Sequence, residues 1–349
     1  MTPFTRRRAL RTLFCSSAAL SLNLNQQAAA QKVPVEALHF LAIGDFGTGG
    51  ADQRRVAQAM AEFRRAHDLS LEGLLMIGDN FYGPVHPHPN KDGKRSSGEA
   101  APFTADSARW SKDIEEMYSA ADFDCPMLAV LGNHDYHDNS GGEKAQLGYA
   151  KKDGVRWTLP AKWYRRDFAH NGQSLLTLLC LDSNLREVSG KNRLTGQYSR
   201  ASLTIEEERR QMEWLRDELA RPRAPFTLVM AHHPLYSNGD HGDTAQLIEA
   251  WEPLFQEHRV HAYLCGHDHD LQHLELEARF TSHVLSGGGG ARTRKLEQDN
   301  QRPMPYGNDV HGFTHLSVAA DGLTLAHHDT TGKLLHRFTK RADGRVDLG

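Results

Sequence analysis

Short apolar runs that end in glycine and polar residues recur along the chain. Runs of this length, bounded by turn-forming residues, are typical of buried β-strands. The run at 262–265, which is followed by Gly266 and then by His267 and His269, is the clearest example. We predict strands at residues 38–43, 74–77, 127–131, 163–169, 175–182, 226–231, 262–265, 271–277, 282–285, 313–319, 323–328 and 334–339.

Helical periodicity separates several of the apolar runs. Residues 51–67 place Val56, Met60 and Phe63 at spacings of four and three, which puts these side chains on one face of a helix. Further helices are predicted at 107–118, 203–220 and 244–258, with a polar loop at 83–105 and an irregular stretch at 136–160.

The order of these elements predicts an α/β fold. The strand at 38–43, the helix at 51–67 and the strand at 74–77 form a crossover unit, which favours a parallel pair of strands. The strands from residue 271 onward follow one another without helices and predict a mainly antiparallel series. We therefore expect two packed mixed β-sheets flanked by helices, within a single catalytic domain at 31–349.

Polar residues with metal-binding side chains follow five of the predicted strands. Because ligands bind beyond the carboxyl ends of strands in open α/β folds, we expect these side chains to meet at one edge. Two carboxylates, a phenol, a carboxamide and several imidazoles are enough to bind two metal ions, which is a known arrangement for phosphoryl transfer. The residues are Asp45, Asp79 with Tyr82, Asn133 with His134, His232 with His233, and His267 with His269.

Composition narrows the possible partners. The chain has 349 residues, is 39% hydrophobic and carries a net charge of -3, with no long block of one sign. This composition is that of a folded protein and gives no reason to expect nucleic-acid binding. No run after the N-terminus approaches the ~20 apolar residues that span a bilayer, so we expect no membrane partner once the signal is removed. We also expect the protein to be a monomer.

The N-terminus has the features of an export signal. Arg6, Arg7 and Arg8 form a basic segment with a twin-arginine appearance, an apolar stretch follows at 13–24, and alanines at 28–30 offer a cleavage site. We predict a signal peptide at 1–30 and a periplasmic or secreted protein.

Three cysteines remain after this signal: Cys125, Cys180 and Cys265. Each lies in or beside an apolar run, so we interpret all three as small buried hydrophobic residues. Their odd number prevents complete pairing within the chain, but a disulfide between two of them stays possible in an oxidising compartment.

Five motifs resemble those of the calcineurin-like metallophosphoesterases, and specifically the animal-type, tartrate-resistant purple acid phosphatases. In chain order they are GDFG, GDNFY, GNHD, VMAHHP and AYLCGHDHDLQHL. The resemblance extends from about residue 38 to about residue 290. It implies a four-layer αββα sandwich and, together with the signal, an exported bacterial form of these enzymes.

The resemblance also implies a binuclear metal centre. Iron would be bound by Asp45, Asp79, Tyr82 and His269, and a second metal by Asp79, Asn133, His232 and His267. The oxygen-rich first set suits Fe(III), whereas two imidazoles and a carboxamide suit a divalent ion such as Fe(II), Zn(II) or Mn(II). The resemblance further implies a violet colour from charge transfer between tyrosinate and ferric iron.

Two positions depart from the commoner pattern of the superfamily. Most members begin with Asp-x-His, but Gly47 stands where that histidine would be, and in the purple enzymes the tyrosine at the position of Tyr82 replaces it as a ligand. The animal enzymes often have an aromatic residue where this chain has His233, whose role is open. We expect His233 to lie beside the metal ligands without being one.

The expected reaction is hydrolysis of small phosphomonoesters at acidic pH by attack of a metal-bound hydroxide. His134 and His241 are the candidates to bind the phosphoryl group and to protonate the leaving oxygen. A phosphodiesterase or nucleotide-cleaving enzyme of the same superfamily is the alternative, with substrate room set by 83–105 and 136–160. A further alternative is an exported metal-binding or interaction protein that has kept the ligands.

Overall fold

The computed structural model describes residues 36–83, 103–138, 141–190, 201–297, 302 and 305–349. The predicted signal peptide at 1–30 and most of the predicted loop at 83–105 lie outside these residues. Among the residues described, no helix has the length and apolar character needed to cross a membrane.

Strands make up most of the regular structure. They are β1 (Leu38–Ile43), β2 (Gly73–Ile77), β3 (Met127–Val130), β4 (Trp157–Thr158), β5 (Tyr164–His170), β6 (Gln173–Cys180), β7 (Phe226–Met230), β8 (Ala262–Cys265), β9 (Leu271–Leu274), β10 (Ser282–Ser286), β11 (Tyr306–Asn308), β12 (Gly312–Ala319), β13 (Gly322–Asp329), β14 (Leu334–Lys340) and β15 (Val346–Leu348).

The α-helices are α1 (Ala51–Ala66), α2 (Asn133–His137), α3 (Gly142–Tyr149), α4 (Arg186–Ser189), α5 (Ile205–Ala220) and α6 (Ala245–Glu257). Helix α5 begins at a capping box. The Thr204 hydroxyl accepts from the Glu207 N–H, and the Glu207 carboxylate accepts from the Thr204 N–H at 2.8 Å. These two bonds satisfy N–H groups that the first turn of a helix leaves unpaired.

The strands form two mixed sheets. The first has the order β15-β14-β13-β12-β1-β2-β3-β4 and the second the order β11-β9-β10-β8-β7-β6-β5. β1, β2 and β3 are parallel, as are β6, β7 and β8, which confirms the crossover unit predicted near the N-terminus. The later strands are antiparallel except that β10 pairs in parallel with β8.

Helices cover the outer face of each sheet. Phe63 of α1 packs against Phe313 of β12, with ring centres 5.5 Å apart. On the second sheet, buried residues of α5 and α6 join strand residues in one apolar cluster, among them Leu215 and Trp251. Phe40 and Phe168 meet between the sheets, with ring centres 4.9 Å apart. The four layers confirm the predicted fold class.

The prediction of an irregular stretch at 136–160 was wrong. Helices α2 and α3 and strand β4 lie within or overlap it. These elements are too short, at five, eight and two residues, to show a clear hydrophobic period. The helix predicted at 107–118 is also shorter, because the segment Trp110–Glu115 has π-helical hydrogen bonding and the flanking residues form turns.

The three cysteines are buried and unpaired, as predicted for small hydrophobic residues. Burial raises the pKa of the Cys180 thiol to about 12 and that of Cys125 to about 11. Neither thiol is therefore suited to nucleophilic chemistry.

Candidate metal centre

Two sets of parallel strands, one in each sheet, bring the predicted polar residues together. Asp45, Asp79 and Asn133 follow β1, β2 and β3, while His232 and His267 follow β7 and β8. The imidazole of His232 makes a hydrogen bond at 2.9 Å from Nδ1 to the carbonyl of Ile77, the last residue of β2. This bond joins the second sheet to the first at the edge where the candidate ligands lie.

Three of the turns have an unusual backbone conformation. Asp45, Asp79 and His267 have φ values of 58°, 51° and 71°, in the left-handed region that non-glycine residues seldom adopt. Backbone hydrogen bonds to the carboxylates support the turns: Asp45 Oδ2 accepts from the His267 N–H at 2.8 Å, and Asp79 Oδ1 from the His134 N–H at 2.9 Å. Such conformations cluster at functional sites.

The first group of candidate ligands is buried and rich in oxygen. Ligand atoms of Asp45, Asp79 and His269 lie within 4.8 Å of one another. Tyr82 Oη lies 3.5 Å from Asp45 Oδ1 and 3.3 Å from His269 Nε2. Two carboxylates, a phenol and an imidazole are a hard donor set that fits Fe(III).

The second group is richer in nitrogen. His232 Nε2 lies 3.1 Å from Asn133 Oδ1 and 3.4 Å from Asp79 Oδ1. The ring centres of His232 and His267 are 5.2 Å apart. Asp79 thus contacts both groups and is placed to bridge two ions, while the imidazoles and the amide fit a divalent ion.

Hydrogen bonds fix the orientation of two of these imidazoles. The Nδ1 atom of His232 is bonded to the Ile77 carbonyl and that of His269 to the Arg292 carbonyl, at 2.9 and 2.8 Å. A carbonyl accepts only, so each Nδ1 carries a proton and each Nε2 is the nitrogen that faces the other candidate ligands. This arrangement is common around metal-binding histidines.

The charges of the site favour bound cations. Burial raises the pKa of Asp45 well above its usual value. Burial acts on Asp79 in the same direction, but the neighbouring His232 lowers the pKa of that carboxyl well below normal. Burial alone would lower the pKa of His232, but the charges of Asp79 and Asp45 raise this pKa to about 10. Metal ions between these groups would balance the buried negative charge directly.

Gly47 leaves no room for a side chain. A Cβ atom at this position would lie 2.1 Å from the backbone C and O of Asn80. The Gly47 N–H donates to the Asp79 carbonyl at 3.1 Å, and its carbonyl accepts from the Tyr82 N–H at 2.9 Å. The same backbone contacts that exclude a histidine here therefore also place Tyr82.

His233 lies beside the second group. Its backbone N–H donates to Ser183 Oγ at 2.9 Å, and its Nδ1 is 2.8 Å from the same hydroxyl. Its ring centre is 4.4 Å from that of His267, and burial followed by the charge of His232 lowers its pKa well below normal. His233 is thus close enough to affect the centre, and its exclusion from the ligand set stays a prediction.

His134 is held by a carboxylate. Its Nδ1 lies 2.6 Å from Asp138 Oδ2, and its ring centre is 4.4 Å from that of Tyr82. Burial acts to lower the pKa of His134, but the hydrogen bond that His134 donates to Asp138 and the charge of Asp79 raise it above the normal value. The raised pKa of His134 fits a proton donor beside the centre.

His241 also lies beside the centre, in a different environment. Its ring stacks on His267 with centres 4.1 Å apart, and its backbone N–H donates to Asp268 Oδ1 at 2.9 Å. The guanidinium of Arg294 donates to His241 Nε2. Burial and the charge of Arg294 lower the pKa of His241, whereas Asp268 raises it. His134 is consequently the stronger candidate for a proton donor.

Three side chains beside the centre were missed in the sequence: Asp138, Asp268 and Arg294. Asp138 and Arg294 lie outside the five motifs. Asp268 lies between two predicted ligands, which was the available signal. Asp135 orients its neighbours: its carboxylate accepts the backbone N–H groups of Asn80 and Phe81 at 3.2 and 3.0 Å.

A cavity of about 350 Å³ opens beside the second group. Asn133, His137, His233, His241 and His267 contribute to its lining. Its position gives a small molecule access to the nitrogen-rich side of the centre.

Two packed sheets with a donor set for two ions at their carboxyl edge define a class of binuclear metalloprotein. Residues 38–271 match the family described as calcineurin-like phosphoesterase, and the chain belongs to that family.

Relatives match the chain over most of its length. Tartrate-resistant acid phosphatase type 5 of Mus musculus is 28% identical over 319 residues, which cover 87% of this chain and 90% of that protein. The Homo sapiens protein of the same name is 27% identical over 326 residues, covering 88% and 92%. Purple acid phosphatase 7 of Arabidopsis thaliana is 25% identical over 345 residues, covering 93% of each.

Solved structures share the fold. Purple acid phosphatase PPD1 from yellow lupin (Lupinus luteus) seeds has a TM-score of 0.62 at 16% identity, covering 87% of this chain and 53% of that chain. GAP50, the anchor in the inner membrane complex of Plasmodium, has a TM-score of 0.70 at 19% identity, covering 87% and 88%. At these identities the similarity concerns the fold alone.

Proposed function

We propose that the protein is a binuclear metal-dependent acid phosphatase that hydrolyses small phosphomonoesters. The observation that carries this proposal is the position of Asp79, which contacts both the oxygen-rich and the nitrogen-rich group of candidate ligands. A carboxylate shared by two ions is suited to a two-metal site for phosphoryl displacement. The acid phosphatases among the relatives support the same reaction.

Asp45, Asp79, Tyr82 and His269 would bind Fe(III), and Asp79, Asn133, His232 and His267 a divalent ion, Fe(II), Zn(II) or Mn(II). When bound, the two cations neutralise phosphoryl oxygens and make a water nucleophilic at acidic pH. Metal analysis of the purified protein should find two ions per chain, one of them iron, together with a visible absorption band. A protein with a single ion, or with no visible band when iron is present, would contradict this ligand assignment.

The chain's own residues then bind the phosphoryl group and deliver a proton. We assign the protonation of the leaving oxygen to His134, because Asp138 holds its Nδ1 and so fixes the imidazole beside the centre. His241, stacked on His267 next to the cavity, is assigned to binding the phosphoryl group.

Turnover of an aryl phosphate at acidic pH tests the reaction. We expect hydrolysis that disappears when a chelator removes the metals and returns when they are restored. Replacing His134 with alanine should abolish most of the activity without removing the metals. If the metal-loaded protein fails to hydrolyse any phosphomonoester, the phosphatase proposal is wrong.

The same preparation distinguishes the alternatives. Faster hydrolysis of an aryl phosphodiester than of the matching monoester would favour a phosphodiesterase or nucleotide-cleaving enzyme. An unaffected biological role in the His134→Ala variant would favour an exported interaction protein. The relatives named as acid phosphatases favour neither of these outcomes.

We further propose export of a single catalytic domain at 31–349, as a monomer in the periplasm or outside the cell. This rests on the sequence of residues 1–30. Intact mass of the protein from cell fractions should show cleavage near Ala30, and light scattering should give the mass of one chain. A full-length protein retained in the cytoplasm would contradict the export.

A further inference from the structure

Arg294 brings a positive charge to the edge of the candidate metal centre. Its segment follows β10 and is tied by its backbone to two candidate ligands: the Ala291 N–H donates to the Asp45 carbonyl at 2.8 Å, and the Arg294 N–H to the His269 carbonyl at 3.3 Å. The position of Arg294 is therefore set by the same residues that form the oxygen-rich group.

The side chain of Arg294 points toward the site. Burial is the main influence on the pKa of Asp45, Tyr82 and His269, and the charge of Arg294 lowers the pKa of each of them in addition. Its guanidinium also contacts His241 Nε2. Arg294 thus contacts His241 and is near enough to the oxygen-rich group to act on its charges.

The guanidinium has few competing partners among the described residues. Its Nε is 3.9 Å from Asp240 Oδ2, which is too long for a hydrogen bond, and the Asp240 side chain is 54% exposed. The contact with His241 uses one of the five N–H donors of an arginine. Several donors consequently remain for a ligand.

We propose that Arg294 binds a phosphoryl oxygen of the substrate, and of the phosphate product, beside His241. This inference rests on the proposed phosphatase function. A planar guanidinium presents paired N–H donors that match two oxygens of a phosphoryl group. Because arginine only donates, its contact requires His241 Nε2 to accept. An arriving oxyanion can take these donors in place of His241 Nε2.

Binding of inorganic phosphate to the metal-loaded protein tests this proposal without turnover. Arg294→Gln should weaken phosphate binding by ~10-fold or more, since hydrogen bonds to charged groups contribute that much. Arg294→Lys should recover part of the lost affinity, because lysine restores the positive charge but not the paired N–H donors of the guanidinium. Lys295→Gln removes the same charge from the exposed neighbouring side chain and should bind phosphate as the unaltered protein does.

A double variant separates direct binding from an effect through His241. In a His241→Ala background, Arg294→Gln should still weaken phosphate binding. If it has no further effect there, Arg294 acts only by holding His241, and the proposal is overturned. Loss of metal from the Arg294→Gln protein would also overturn it, because Arg294 would then stabilise the centre rather than bind the anion.

The experiments distinguish a failure of the proposed phosphatase function from a failure of the proposed role of Arg294. If the unaltered protein neither hydrolyses phosphomonoesters nor binds phosphate, both proposals are wrong. If it does both, and Arg294→Gln binds phosphate as tightly as before, only the role of Arg294 is refuted.

Discussion

The two halves of the candidate metal centre differ in burial and in donor chemistry. The half with Asp45, Tyr82 and His269 is buried, and its donors are mostly oxygen. The half with Asn133 and His267 is partly exposed and borders a cavity. A hard, enclosed site favours a tightly held ion of high charge, whereas an open site of nitrogen and amide donors favours an exchangeable divalent ion. We therefore expect the two ions to play unequal parts, one retained and one replaceable.

The largest effect should come from the residue that the halves share. Asp79→Asn removes one negative charge from both candidate sites. We expect kcat/KM to fall by ~10³-fold or more, since metal ions contribute several kcal/mol of charge stabilisation. Metal analysis should find both ions depleted. Near-normal content of both would refute the bridging role.

A second change should affect the enclosed half first. Tyr82→Phe keeps the ring that packs on His134 but removes the phenolic oxygen. We expect iron to bind at least ~10- to 100-fold more weakly, as the loss of even an indirect metal contact costs this much. The visible band should disappear with the oxygen. An unchanged absorption spectrum in an iron-containing variant would show that Tyr82 is not a ligand.

The open half should respond differently. Asn133→Ala removes an amide oxygen that lies 3.1 Å from His232 Nε2. We expect activity to fall ~10- to 100-fold and to recover when excess divalent metal is supplied, while iron and the visible band remain. Titration of activity against Zn(II) or Mn(II) measures the recovery. Loss of iron together with the divalent ion would show that the halves are not independent.

The smallest effect is expected outside both halves. Asp138→Asn weakens the bond to His134 Nδ1 without altering a candidate ligand. We expect kcat to fall ~10-fold or more, through poorer proton delivery, with metal content unchanged. The effect should be weaker for an aryl phosphate whose leaving group needs no proton. Equal losses with good and poor leaving groups would argue that Asp138 serves the fold instead.

The fold and the candidate ligands could be predicted because both follow from local patterns. Each ligand segment is an apolar strand ended by polar residues, and the parallel arrangement of β1, β2 and β3 brings those ends together. Arg294 could not be found in this way. It lies in a loop without periodicity, and its contact with His241 spans 53 positions of the sequence. Only tertiary folding creates that neighbourhood.

Helix α2 is another feature that the hydrophobic pattern of the sequence did not predict. Its five residues carry both Asn133 and His134, and the turn before it packs against Asp79 so closely that a Cβ at Gly132 would lie 2.2 Å from the Asp79 N and Oδ1 atoms. The motif predicted the ligand, but no hydrophobic period indicated a helix. Short helices of this kind are formed by contacts with the rest of the chain rather than by their own propensity.

The tight packing at Gly47 bears on how related centres can diverge. A histidine introduced at this position would displace the backbone of Asn80, and that movement would carry Tyr82 away from His269. A histidine ligand gained at this position would thus cost the proposed tyrosine ligand, so a stepwise exchange is expected to pass through a chain with a damaged centre. A change from tyrosine to histidine in such a centre would therefore require a change in the backbone near Asn80 as well as the two substitutions at the positions of Gly47 and Tyr82.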